Sequence, residues 1–280
     1  MKKRAILLAN LGSPDSCEVK DVKTYLNEFL MDEKVIDLPY LLRYVLVKGL
    51  IVPLRAAKSA ERYRSVWTEN GSPLIHITQQ LTELLKEESQ LPVYMCMRYG
   101  YPAPIDVLKK ISMAETELDE LVLLPLYPHY AMSSYETAVE HVKEAYHAGE
   151  YKFSLSVVPP FYHQPDYIEA LAQSIKPYLD QSYDHILFSY HGIPERHILK
   201  SDLTGKHCLK SANCCSVASV AHQNCYRHQV IQTTQLVAEK LALNTEKFSF
   251  SFQSRLGKDK WLQPDTAMVL KQFPEKGIKK

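Results

Sequence analysis

Short apolar runs alternate with longer helix-patterned segments along the whole chain, and this alternation constrains the fold more than any other feature. Residues 121–126 are apolar throughout, as expected of a strand covered on both faces inside a parallel sheet. The predicted strands lie near 4–10, 93–98, 121–126, 153–158, 185–189 and 248–252. The predicted helices lie near 18–31, 39–51, 55–66, 71–89, 105–113, 135–148, 165–178, 221–242 and 264–272. Strands that alternate with helices of this length need crossover connections, which are right-handed and produce parallel sheets.

The alternation forms two series that meet near Gly149, the expected stop of a helix. We therefore predict an α/β fold with two doubly wound, Rossmann-like lobes that face a cleft, residues 1–149 and residues 150–280. Each lobe is expected to be a parallel sheet flanked by helices. The second lobe is expected to be incomplete, because residues 275–280 have the pattern of a turn that starts another strand.

Composition and charge exclude several classes of function. The 280 residues include 33 basic and 32 acidic side chains, and this balance gives no electrostatic footprint for nucleic acid. No stretch reaches the ~20 apolar residues of a spanning helix, and residues 5–9 are too few for a signal peptide, so we expect a cytoplasmic protein. The most apolar helical segment, 38–54, contains basic residues, which favours a buried or membrane-surface helix. Acidic residues in 18–33 follow a helical pattern and are expected to form a solvated face.

Polar side chains follow the carboxyl ends of four predicted strands, the edge at which open α/β sheets bind ligands. They are Asn10, Arg98 with Tyr99, the stretch from Tyr127 to Ser133, and His191. A neutral imidazole at His191 could accept protons or bind a borderline metal such as ferrous iron. Taken singly, each residue is also compatible with ordinary loop polarity, and His191 with a structural histidine. Together the four strand ends predict one convergent cleft.

Four of the six cysteines lie within 18 residues in the spacing C-x5-C-C-x9-C. They are Cys208, Cys214, Cys215 and Cys225. A cluster of this kind in a cytosolic chain indicates metal, and four thiolates suit zinc or an iron–sulfur cluster. The spacing matches neither a zinc ribbon nor a plant-type ferredoxin. His207, His222 and His228 could also bind zinc, so zinc, iron–sulfur and no metal stay equally open on chemistry alone.

Six motifs, in order and over nearly the whole chain, resemble those of the ferrochelatases. They are LANLGSP at 8–14, GSPL at 71–74, MRYG at 97–100, LPLYPHY at 124–130, FSYHGIP at 188–194, and FQSRLG at 252–257 with WLQP at 261–264. Each motif is modest alone, but six in register are specific. The resemblance implies a two-lobed chelatase fold that holds protoporphyrin IX between its lobes and inserts ferrous iron into it to form protohaem.

The same resemblance implies roles for individual residues. His191 matches the family's catalytic histidine, which takes pyrrole protons or hands over the substrate iron. Arg98 and Tyr99 match polar residues lining the inner cleft, and Leu11 matches an apolar wall against one porphyrin face. Tyr127 and Ser133 match positions near the pocket. Both are therefore expected to help bind the porphyrin. Residues 38–54 correspond to a lip over the pocket mouth, where a peripheral membrane contact is also expected.

Some bacterial ferrochelatases resemble the cysteine segment as well, and there the four cysteines bind a 2Fe–2S cluster. The resemblance therefore implies a structural or sensing cluster on Cys208, Cys214, Cys215 and Cys225, with zinc as the alternative. The family's chain continues into a helix carrying a glutamate that faces the catalytic histidine. Because this residue cannot be assigned within 280 positions, we expect low or absent turnover. The alternatives are a non-catalytic porphyrin or haem carrier, an iron–sulfur sensor, and a chelatase for cobalt or coproporphyrin.

Overall fold

A computed structural model describes residues 2–255 and 259–279 and divides the chain into two compact units. Unit 1 comprises Met1–Tyr127 and Met132–Pro159, and unit 2 comprises Pro128–Ala131 and Pro160–Lys280. The division thus falls after residue 159, where the sequence pattern suggested 149. Leu256 and Gly257 of the motif at 252–257 lie outside the described residues.

Unit 1 contains a parallel sheet with the strand order β2-β1-β3-β4. The strands are β1 (Arg4–Gly12), β2 (Val93–Tyr99), β3 (Glu120–Pro125) and β4 (Ser154–Val157). Leu8 in β1 lies beside Met95 of β2 and Leu124 of β3, and Leu7 and Leu8 are both fully buried. Consecutive buried residues are the mark of a strand covered on both faces. The continuous apolar runs therefore form the interior of this sheet, as predicted.

Strand β4 was predicted to begin the second lobe, but it is the edge of the first sheet. Its register places Ser154 beside Glu120 and Val157 beside Leu123. Its alternating serines leave it half exposed, as suits an edge strand. The boundary in the sequence pattern fell before this strand because the preceding helix ends near Gly149.

The helices of unit 1 cover its sheet. They are α1 (Val19–Leu30), α2 (Tyr40–Tyr44), a π-helical stretch Val45–Ile51, α3 (Val52–Val66), α4 (Pro73–Ser89), α5 (Pro104–Ala114), a π-helical stretch Met132–Glu136 and α6 (Thr137–His147). The sequence predicted a break between 51 and 55, but the helical path continues from 40 to 66. Pro53 lies in the first turn of α3, where no donor is needed, and Val52 N–H donates to Val47 C=O.

Unit 2 has two parallel strands in its described part, β5 (Ile186–His191) and β6 (Phe248–Gln253). Its helices are α7 (Pro165–Leu179), α8 (Glu195–Ser201), α9 (Tyr226–Lys240) and α10 (Thr266–Gln272), with short 3-10 turns at Val220–Asn224, Thr245–Lys247 and Pro274–Lys276. Helix α8 was not predicted, since only seven residues separate Pro194 from its end. The core of the unit includes Ile193, Phe252 and two cysteines, Cys208 and Cys225.

Candidate functional site

His191 is the last residue of β5, and the backbone around it is held tightly by β6. Gly192 N–H donates to Gln253 C=O at 2.6 Å. A Cβ atom at position 192 would lie 2.9 Å from the Gln253 oxygen and 3.0 Å from the Ser254 oxygen. Such contacts between a side chain and backbone force one strand to move. A glycine therefore has to follow the histidine at this strand end.

A tyrosine from another element holds the opposite side of the same backbone. Tyr226, the first residue of α9, donates its hydroxyl to His191 C=O at 2.9 Å. Its ring lies edge-on to the His129 ring, with centroids 5.9 Å apart. Tyr190 also lies edge-on to His129, at 5.7 Å. These aromatic contacts and the hydrogen bond fix the direction in which β5 delivers His191.

Burial lowers the pKa of two histidines near the end of β5, His191 and His129. Desolvation lowers the pKa of His191, although the residue as a whole is exposed. Deeper burial lowers the pKa of His129 to about 4, and its Nε2 lies 2.9 Å from Thr233 Oγ. Both rings are therefore neutral at pH 7, since the charged imidazolium loses hydration there. The exposed His191 is free to accept a proton, whereas His129 serves the packing of the tyrosines.

In unit 1, Arg98 and Tyr99 converge on a buried carboxylate. Asp32 Oδ2 accepts hydrogen bonds from Arg98 Nη2 at 2.5 Å, from Tyr99 Oη at 2.8 Å and from Thr137 Oγ1. The Arg98 guanidinium carbon lies 4.4 Å from the centroid of the Tyr99 ring. Burial pushes the Asp32 pKa upward, but the hydrogen bond from Thr137 and the charge of Arg98 outweigh it and lower the pKa.

This network corrects two expectations from the sequence. Asp32 is 8% exposed, so the prediction of a solvated acidic face over 18–33 is wrong at this residue. Tyr99 was expected to line a cleft, yet it is fully buried and bound to Asp32. No local pattern identifies Asp32 as a buried carboxylate, because its partners Arg98 and Thr137 lie 66 and 105 positions away in the chain. The available indications are the position of Asp32 after a predicted helix and that of Arg98 at the end of a predicted strand.

The remaining residues predicted in unit 1 lie near the carboxyl edge of its sheet. Leu11 is half-buried near the end of β1, and Ser133 is half-buried in the π-helical stretch before α6. The Tyr127 hydroxyl is buried without a hydrogen-bond partner among the described residues, and burial raises its pKa. Their contacts with a substrate stay predictions.

The four clustered cysteines come together in unit 2. Each is 8% exposed or less, and the Sγ atoms of Cys214 and Cys215 lie 4.0 Å apart. Cys225 is hydrogen-bonded to both Cys208 and Cys215. Burial is the main factor that raises the Cys208 pKa, to about 11. The hydrogen bond with Cys225, followed by burial, raises the Cys215 pKa. Without metal, Cys208 and Cys215 are therefore thiols, and metal binding would release their protons.

The sulfur atoms are compatible with metal binding. Two sulfurs on one tetrahedral metal, with bonds of about 2.3 Å, lie about 3.8 Å apart, and the Cys214–Cys215 separation is close to that value. In the part of the chain that the structure describes, no three His, Cys, Asp or Glu side chains are already arranged around one metal ion. Four buried thiols in mutual contact are ligands that both an iron–sulfur cluster and zinc accept.

The surface of unit 1 has an apolar strip along the helical segment 40–54. Leu41 is 77% exposed, Val45 68% and Leu54 73%. The prediction of a buried helix is therefore wrong for these side chains. The other prediction, a helix at a membrane surface, is compatible with their exposure. No helix among the described residues is both long enough and apolar enough to cross a membrane.

The fold and these side chains define a class: an α/β protein with parallel sheets, an exposed neutral imidazole at a strand's carboxyl end and a separate buried cysteine cluster. Comparison with known proteins narrows this class. The ferrochelatase family model matches residues 3–280. A ferrochelatase of Pseudomonas syringae pv. syringae (strain B728a) is 45% identical over 281 residues, covering 100% of this chain and 82% of the relative.

Two further relatives agree. A ferrochelatase of Ectopseudomonas mendocina (strain ymp) is 46% identical, with 82% of its length covered. One of Opitutus terrae (strain DSM 11246 / JCM 15787 / PB90-1) is 46% identical, with 81% covered. The chain belongs to the ferrochelatase family.

Proposed function

We propose that this chain inserts ferrous iron into protoporphyrin IX, with His191 as the acceptor of pyrrole protons. Iron enters the macrocycle only as two N–H protons leave, so the reaction needs a base with a pKa near or below working pH. A neutral, exposed imidazole meets this need. The observation that carries the proposal is the lowered pKa of an exposed His191 at the end of β5.

The backbone contacts of His191 support this role. The peptide group that joins His191 to Gly192 is held on both sides: its C=O accepts from Tyr226 Oη, and its N–H donates to Gln253 C=O. Gly192 allows this close approach. Holding a proton acceptor in one geometry lowers the entropy cost of reaching the transition state. The same imidazole can bind ferrous iron on its way to the porphyrin, since borderline metals accept neutral histidine.

Residues of unit 1 are proposed to bind the porphyrin. Leu11 offers an apolar contact for one ring face, and Ser133 offers a hydroxyl group. Tyr127, whose hydroxyl is buried, is proposed to shape the pocket wall rather than to hydrogen-bond the substrate. Arg98 is proposed to act at the inner end of the site. Tyr99 is proposed to act from behind Arg98, because its hydroxyl is bound to Asp32 and its ring carries the guanidinium.

Two histidines, one at each end of β5, provide the test. His191 is the last residue of β5, and His185 directly precedes the strand, where its Nε2 lies 2.8 Å from Ser249 Oγ. We expect His191→Ala to lower kcat for iron insertion by at least 100-fold, as removal of a general base does. His185→Ala should leave kcat within twofold. Equal losses in the two variants would count against a chemical role for His191.

Substrate choice separates the alternatives. Quenching of porphyrin fluorescence measures binding, and the rate of metal insertion measures turnover. We expect both for protoporphyrin with ferrous iron. Tight binding with no insertion would favour a carrier. Faster insertion of cobalt, or faster reaction with coproporphyrin, would favour a different chelatase.

We further propose that Cys208, Cys214, Cys215 and Cys225 bind a 2Fe–2S cluster. The support is that four buried sulfurs, all thiolate ligands when deprotonated, lie in contact with one another. When bound, the cluster supplies one-electron redox chemistry and cross-links the segment between α8 and α9. Two irons and two sulfides per chain, with the visible absorption of such clusters, are expected. A colourless protein with one zinc per chain would replace the proposal with the zinc alternative.

The apolar strip at 40–54 is proposed to contact a membrane surface. Leu42 is 62% exposed there, and Ile77 on α4 has a matching exposure of 61%. We expect Leu42→Ser to weaken binding to lipid vesicles severalfold, since each lost apolar contact costs about 1 kcal/mol. Ile77→Ser should leave vesicle binding unchanged. Equal effects would argue against a specific strip. A cytoplasmic location stays a prediction from the sequence.

A further inference from the structure

The four cysteines lie in an electrostatically uneven environment. On one side, Arg227 Nη1 is 3.3 Å from Cys215 Sγ and 3.8 Å from Cys214 Sγ. On the other side, Asp202 Oδ2 accepts the backbone N–H groups of Cys208 and His207, each at 2.8 Å. A fixed positive charge thus contacts the Cys214–Cys215 pair, while a carboxylate lies beside Cys208.

Three histidines contact the backbone of the two cysteines that lie next to Arg227. His207 Nε2 lies 2.7 Å from the Cys214 carbonyl oxygen, and His222 Nε2 lies 3.1 Å from the same atom. His228 Nδ1 lies 2.9 Å from the Cys215 carbonyl oxygen, and its ring stacks on His222 with centroids 3.6 Å apart. These contacts hold the Cys214–Cys215 backbone in place, so the distance from Arg227 to the two sulfurs is set by packing.

We propose that Arg227 stabilises the reduced form of the cluster and so sets its reduction potential. The inference rests on the 2Fe–2S cluster proposed above and names a residue that acts through two of its ligands. Arg227 is a positioning and charge-compensating residue, and Asp202 acts in the opposite sense.

The physical reason is a change of charge at fixed geometry. An external one-electron donor, such as dithionite, transfers one electron to the cluster, which becomes one unit more negative without gaining a proton. Hydrogen bonds and positive charge at the sulfurs favour that state. Arg227 also lines a cavity of about 320 Å³, so water screens part of its charge. We therefore expect about a tenfold change in the reduction equilibrium, which for one electron is about 59 mV.

Three variants separate charge from hydrogen bonding. Arg227→Gln removes the charge and keeps an amide donor, whereas Arg227→Lys keeps the charge. Arg196→Gln is the matched control, because Arg196 pairs with Asp259 on the surface. Each purified protein is titrated with dithionite and mediators, and the reduced cluster is followed by electron paramagnetic resonance and visible absorption.

We expect Arg227→Gln to make the cluster about tenfold harder to reduce at a given potential. Arg227→Lys should recover most of that change, and Arg196→Gln should match the unmodified protein. Asp202→Asn should shift the potential in the positive direction. An unchanged potential in Arg227→Gln, with the cluster still present at full occupancy, would overturn the inference.

The readout does not depend on iron insertion, so it separates this inference from the proposed chemistry of His191. A protein that turns over porphyrin but shows an equal potential in all variants keeps the enzyme function and loses the role of Arg227. A protein that binds no iron and sulfide, even after chemical reconstitution, overturns the cluster and this inference together.

Discussion

The two units reach a folded core by different means. Unit 1 buries leucines of neighbouring parallel strands, and Leu7, Leu8, Leu121 and Leu123 are all completely enclosed. Unit 2 has two strands in its described part, and its core counts Cys208 and Cys225 beside Ile193 and Phe252. The sheet of the first unit is packed with aliphatic side chains, whereas the core of the second contains cysteines that we propose to be metal ligands. The stability of unit 2 should therefore respond to conditions that leave unit 1 unchanged.

Each unit contains one of the chain's two tryptophans, Trp67 in unit 1 and Trp261 in unit 2. Fluorescence of Trp67→Phe and Trp261→Phe backgrounds therefore reports the unfolding of each unit separately. A single shared transition in both backgrounds would show that the units unfold together, and the contrast between them would fail.

The largest effect is expected in unit 1. Asp32→Ala leaves the Arg98 guanidinium without its buried partner, which should cost about 4 kcal/mol of unfolding free energy. Urea titration of the Trp67 reporter measures this loss. Asp32→Asn, which keeps the shape and the acceptor oxygen, should lose less. A change below 1 kcal/mol in Asp32→Ala would show that Arg98 and Tyr99 are held by packing alone.

Metal removal should act on unit 2. Chelation of the iron under reducing conditions should lower its unfolding free energy by about 3 kcal/mol, because the ligand binds only the folded chain. The Trp261 reporter should show the shift, and the Trp67 reporter should not. Equal shifts in both reporters would mean that the cysteine cluster stabilises the chain as a whole.

Acid should weaken unit 2 through His129. Its pKa in the folded chain is about 4, below the ordinary value of 6.5, so the unfolded chain takes up the proton first as the pH falls. This contribution is fully present above pH 6.5 and is lost progressively as the pH falls from 6.5 to 4. By pH 5 the loss of unfolding free energy amounts to roughly 2 kcal/mol.

His129→Gln provides the control for this pH effect. The variant should remove that part of the pH dependence and leave the rest. Burial also lowers the pKa of His141 in unit 1, so the informative quantity is the difference between the variant and the unmodified chain. Parallel pH profiles for the two proteins would exclude His129 as the source.

The smallest effect is expected at Gly192, which follows β5, and Gly12 at the end of β1 provides the stronger comparison. In unit 1, Gly12 has φ +100°, and a Cβ there would lie 1.8 Å from the Tyr99 oxygen. In unit 2, Gly192 has milder contacts of 2.9 and 3.0 Å. Gly192→Ala should cost about 1 kcal/mol by overpacking, and Gly12→Ala clearly more. Thermal unfolding of both variants would show the order, and the reverse order would contradict the geometry.

The sequence was sufficient for the elements with local signals. Continuous apolar runs identified β1 and β3, and the motif at 188–194 put His191 at a strand's end. Hydrogen bonds between residues far apart in the chain leave no local pattern in the sequence. Asp32 is bound by residues far along the chain, and Tyr226 is 35 positions from His191. No pattern in the sequence singled out Arg227, because its contact with two sulfurs exists only after folding.

Helix α9 begins where the cysteine segment ends. Cys225 Sγ caps it by accepting His228 N–H at 3.4 Å, and the next residue, Tyr226, reaches the backbone of His191. A designer who moves the four-cysteine segment into another chelatase must therefore transplant residues 202–227 as one piece. A graft cut at Cys225 would bring the thiols but omit the tyrosine whose hydroxyl contacts the His191 backbone.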